Sequence, residues 1–150
     1  MSALFAFLHH LAFVSVMAIL ALEMVLVRDE LTLERAHKLI RFDLAYGVLA
    51  GVVLVVGFMR AVYFEKGWEY YQHSIPFLIK MTLFLAVGLL SIIPTVEFFS
   101  WRKLVAAGQV PVLNADKKRR LSAILHAELV GLSLMLLCAA LMARGVGQMA

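Results

Sequence analysis

Cysteine is nearly absent from this chain. The single Cys138 has no partner within the protein, so an intrachain disulfide is excluded and the redox compartment stays unread. There is no glycine-rich phosphate loop, no cysteine–histidine metal spacing, no nucleophile elbow and no internal repeat. The first residues carry no basic leader. The run that follows is too long for a secretory signal and ends in Glu23-Met24-Val25-Leu26-Val27-Arg28 without a small-residue cleavage pattern, so it is expected to stay as the first helix. The sequence pI is near 9.5, but the basic residues sit in loops, where orientation explains them better than nucleic acid does.

Long apolar runs are what the chain does have. Hydrophobic residues make up 63% of the 150, and the mean hydropathy is +0.92. Four runs of about twenty apolar residues, near 4–27, 42–64, 76–99 and 121–143, match the roughly 30 Å hydrocarbon slab of a bilayer. No water satisfies backbone groups there, so each run should be helical. The expectation is one all-α transmembrane domain, an integral membrane four-helix bundle.

Loop charge sets its orientation. Arg28, Arg35, Lys38 and Arg41 flank the first loop, and Arg102, Lys103, Lys117, Lys118, Arg119 and Arg120 the third. The second loop holds only Lys66. The positive-inside rule puts the first and third loops in the cytoplasm and both termini outside, as in a bacterial inner (cytoplasmic) membrane. Residues 29–41 read as a short amphipathic surface helix, with Leu31, Leu39 and Ile40 towards lipid and His37 in water. Trp68, Tyr70 and Tyr71 suit an outer interfacial belt. Gly47 and Gly51, with Gly57 beyond, have the small-xxx-small spacing of a helix contact. Pro94 should kink the third span near Leu90.

Ionisable groups inside spans mark candidate sites. They fall into two layers. The outer layer contains His9, His10, Arg60 and Lys80. The inner layer contains Glu23, Asp43, Glu97, His126 and Glu128. Asp43 reads as a residue that snorkels to the interface. His126 reads as a core histidine bonded to Glu23 or Glu97. Glu128 lies two residues on, nearly opposite on the helix, so only one of the two can point inward. The expected proton or ion network is Glu23, Glu97, His126 and Glu128. Lys80, about 7 Å into its span, is expected to face the bundle and to pair with an anion, a carbonyl or a haem propionate, or else lose its proton, so that replacing it costs about 3–5 kcal/mol.

Histidine inside a membrane bundle raises the possibility of haem b. His10 and His126 differ in depth by about 18 Å at the helical rise, too far for one iron. A haem would therefore rest on His9 or His10 in the outer layer, with Lys80 and Arg60 near its propionates.

His9-His10, Arg28-Asp29-Glu30 and Phe98-Phe99-Ser100-Trp101-Arg102 make the whole chain resemble a family of bacterial predicted membrane proteins of unknown function. The helix-one histidine, the basic first loop, the glycine-rich second span and Lys80 also resemble, more distantly, the four-helix membrane protoporphyrinogen oxidase and copper-resistance-D type proteins. That second likeness implies haem at His9 or His10 and Lys80. Paired histidines and a different sequence around the lysine depart from it.

Two functions follow as expectations. One is a haem-binding redox protein acting on a porphyrin or quinone-like substrate. The alternative is a small proton- or cation-coupled transporter, or an accessory subunit of a larger membrane complex or homo-oligomer. The lipid bilayer is the expected surrounding, no nucleic acid is expected, and no catalytic residue is assigned.

Overall fold

The computed structural model describes residues 2–149, and among these no strand forms. Four long helices carry the bundle: α1 (Ser2–Arg28), α2 (Leu33–Met59), α4 (Ile75–Ser100) and α6 (Ala115–Ala143). All four are long and apolar enough to cross a membrane. A π-helical turn (Arg60–Phe64) extends α2, and the short helices α3 (Trp68–Gln72) and α5 (Arg102–Ala106) lie in the second and third loops.

Local chemistry fixes the helix starts. Thr32 caps α2 by accepting from the Arg35 N–H at 3.2 Å, and Asn114 caps α6 by accepting from Lys117 at 2.8 Å. Pro76 occupies the first turn of α4, where a missing N–H costs nothing. The Thr32 cap also corrects the reading of the first loop. No separate surface helix forms, because α2 runs unbroken from Leu33, and Leu39 is fully buried in the core instead of facing lipid.

Buried positions recur at alternating spacings of three and four. On α1 they include His9, Phe13, Val16, Leu20, Glu23 and Val27, and on α6 Leu121, Leu125, Glu128, Leu132 and Met135. This is the seam of a left-handed helix pair, and in lipid such packing holds the bundle together, since burial against solvent cannot. The bundle is two pairs, α1 with α2 and α4 with α6, joined along α1 and α6. The α2–α4 edge is the thinnest of the four seams. Only 11% of the second span's most apolar stretch is buried, against 39% for the first. The outer helices of the bundle thus present most of their surface to lipid.

Gly47 and Gly51 lie on that lipid-facing surface. A Cβ on either would meet nothing within 4 Å, so the expected small-residue contact is not there. The close approaches are elsewhere: a Cβ on Gly57 would stand 2.9 Å from His9 Cε1, and one on Gly131 2.6 Å from Val87 Cγ2.

Candidate functional site

Two polar layers lie inside the bundle, at opposite ends of an apolar middle. By the loop-charge argument, the end holding the second loop is called outer here. At that end a cavity of about 200 Å³ is walled by Phe13, Phe58, Phe77, Phe84 and Trp68 and reached by His9 and Lys80. It lies along the thin α2–α4 seam, and its rim residues Leu54, Phe58, Trp68 and Met81 are exposed on the bundle's flank.

His9 is buried, its Nδ1 makes no hydrogen bond among the described residues, and its ring lies against Gly57. Gly57 is what makes room for the ring, because any side chain there would displace it. His10 does not share the site. One residue further round the helix, it is exposed and its Nδ1 lies 2.6 Å from the Ala6 carbonyl, so His9 is the one of the two that faces the bundle.

Lys80 does face the bundle, within electrostatic reach of His9 and Arg60. The Glu65 carboxylate acts on it from a distance but does not pair with it directly. Arg60 takes Glu65 across the π-helical turn, leaving the Lys80 ammonium with no ion-pair partner among the described residues. Glu65 also accepts from the Tyr71 hydroxyl. Burial alone would push the Glu65 carboxyl up, but Tyr71 and Arg60 outweigh it and hold the group below the usual carboxylate range. Burial, and then the Glu65 charge, push the Tyr71 hydroxyl up.

The inner layer differs from the expected network in membership. Glu23 on α1 and Glu128 on α6 are each only 1% exposed, and both face the bundle interior. Asp43 on α2 joins them at 8% exposure, taking a 2.9 Å hydrogen bond from the Thr95 hydroxyl on α4. It was expected to snorkel, but it sits on the buried seam of α2 with Leu39 and Tyr46. Glu97 is not part of the group. It turns to the helix end, accepting from Trp101 Nε1 at 3.0 Å and pairing with Lys117 at 3.2 Å. His126 is exposed, because Glu128 takes the inward face of α6.

For a haem, His9 is the histidine whose ring reaches the cavity, with Lys80 available to a propionate. The cavity limits that fit. Its volume is below the roughly 300–1,000 Å³ of sites for drug-sized ligands, and Arg60 is already engaged by Glu65. A single ring fits as it stands, since a cavity of about 150 Å³ takes up benzene. Among the described residues no group of three His, Cys, Asp or Glu is placed to hold a metal ion.

No curated protein and no solved structure matches the chain. Its four apolar helices make it a multi-pass protein of a lipid bilayer. Residues 1–147 match the family described as predicted membrane protein DUF2214, and the chain belongs to that family.

Proposed function

We propose that the outer cavity binds a lipophilic ring bearing carbonyl oxygens, of the quinone type, which enters sideways from the bilayer. The observation that carries this reading is an unpaired ammonium and an imidazole with an unused nitrogen, set together in a ring-sized apolar cavity beside the bundle's thinnest seam. Lys80 would donate to one carbonyl oxygen and His9 would bond or exchange a proton at the ring. Aromatic walls at Phe58, Trp68, Phe77 and Phe84 would stack on its faces. A charged hydrogen bond of this kind contributes about 1.5–3 kcal/mol.

A cytoplasmic membrane is the reading that helical spans support, since outer membranes are crossed by closed barrels. The loop charges support a cavity on the side away from the cytoplasm.

The test is titration of a short-chain benzoquinone into the protein in lipid nanodiscs, read by fluorescence quenching. Saturable quenching that disappears in Trp68→Phe and weakens about tenfold in Lys80→Met is the expected result, from the loss of one charged hydrogen bond. Linear, unsaturable quenching that is unchanged in Lys80→Met would show only partition into lipid and would end the proposal. An absorbance spectrum after haem supplementation runs alongside. A Soret band that vanishes in His9→Ala would assign the cavity to haem b instead.

A further inference from the structure

Ring binding makes no use of the inner carboxyls. Glu23, Asp43 and Glu128 converge from three helices, and the fourth supplies the Thr95 hydroxyl. Oε1 of Glu23 and Oε1 of Glu128 are buried without a hydrogen-bond partner among the described residues. Among the described residues no cation faces the group from any helix around it. Only Glu23 reaches it from α1, and Asp43 and Tyr46 from α2. From α4 comes Thr95, while Glu97 turns away to Trp101 and Lys117. From α6 comes Glu128, with His126 on the outside.

Three like charges within electrostatic reach of one another in an apolar interior repel. A proton on one of them relieves that repulsion. A protonated carboxyl also becomes a hydrogen-bond donor inside the buried group.

We propose that Glu23, Asp43 and Glu128 form a buried proton-exchange site that retains at least one proton at neutral pH and communicates with the outer cavity through Tyr46 and Ser91. A smaller cavity of about 40 Å³ lies between the two layers. Its lining carries the hydroxyl side chains of Tyr46 and Ser91, and it shares the walls Phe13, Val53 and Phe84 with the outer cavity. That volume admits a water or two at roughly 10–15 Å³ each. Tyr46 is within electrostatic reach of all three carboxyls. In one exchange a carboxyl O–H breaks as an O–H forms on the water or hydroxyl beside it. The cluster gains one negative charge, and the proton leaves outward.

Infrared spectroscopy of the protein in lipid vesicles, with no ring ligand present, tests this separately from ring binding. At pH 7 a protonated-carboxyl C=O band is expected, reduced in both Glu23→Gln and Glu128→Gln and unchanged in the loop variant Glu69→Gln. Thr95→Val, which keeps all three carboxyls, should shift the band by removing the donor to Asp43. On transfer to heavy water the band should exchange at least tenfold more slowly in Tyr46→Phe. Absence of the band at pH 7, or a band indifferent to Glu23→Gln and Glu128→Gln, overturns the site. An exchange rate unchanged in Tyr46→Phe overturns the connection.

Discussion

The outer and inner layers are both polar interruptions of an apolar bundle, yet they resolve their charges in opposite ways. Outside, positive and negative groups mix, Arg60 and Glu65 neutralise each other, and the leftover Lys80 faces a cavity next to lipid. Inside, the groups are all acidic, drawn from three helices, and nearly sealed. A lone cation at the edge of a cavity can wait for a ligand at small cost, because its long stem lets the ammonium reach water or a headgroup. Sealed carboxyls have no such outlet and must solve their charge among themselves. The first arrangement suits binding and the second suits holding protons.

The largest expected effect tests that difference in stability. Glu128→Ala should cost about 2–4 kcal/mol, since it opens a hole at a fully packed seam position and leaves Glu23 more exposed in its orphaned state. Detergent-induced unfolding in bicelles measures it. Lys80→Met should cost less than about 1 kcal/mol in the same assay, because methionine keeps most of the stem and no partner is stranded. If the two variants cost the same, the contrast between the layers is lost.

Glycines sharpen the contrast at the next scale. Gly57→Ala should cost about 1–3 kcal/mol and weaken ring binding, as its Cβ must displace the His9 ring. Gly47→Ala, with open space around it, should stabilise by about 0.5–1 kcal/mol through helix propensity. Thermal unfolding of the pair reads the sign directly, and a stabilising Gly57→Ala would mean that His9 is not held where the cavity needs it.

The smallest effect is in pH. Glu65 has a carboxyl held below its ordinary value by Tyr71 and Arg60. A depressed folded value means the stabilisation is present above the unfolded value and fades as pH falls through the folded one. Stability should therefore decline on the acid side, below the usual carboxylate range, and Glu65→Gln should flatten that decline. Melting curves at stepped pH would show an unchanged slope if Glu65 carries no such linkage.

The four spans were legible in the sequence because length and apolarity alone decide them. The polar layers were legible as layers, but their membership was not, because proximity to a span end does not decide helix face. Alternating steps of three and four would have sorted them. On α4 the series Phe77, Lys80, Phe84, Val87, Ser91, Pro94, Phe98 takes in Lys80 and skips Glu97. On α2, Leu39, Asp43, Tyr46, Ala50, Val53, Gly57 takes in Asp43 and Gly57 and skips Gly47 and Gly51. The same step separates His9 from His10 and Glu128 from His126. Glu65 and Tyr71 were harder to foresee, since the π-helical turn that brings Arg60 to Glu65 leaves no pattern in the residues themselves.

Near its last described residues the chain folds back on the start of α4. The Ile75 N–H donates to the Gly147 carbonyl at 3.0 Å, and the Met149 N–H to the His73 carbonyl at 2.8 Å. Gly147 holds a φ of 77°, with the Pro76 ring too close to admit a Cβ. In mechanical terms this is a clasp. It makes the outer ends of α4 and α6 one lever, whereas the hydrogen bond from Thr95 to Asp43 ties α2 to α4 only at the inner end, leaving the outer end of α2 as the leaf free to swing. A pull applied at residue 149 would have to open the clasp before α6 leaves the membrane, so forced extraction from that end should begin with a short, separate rupture.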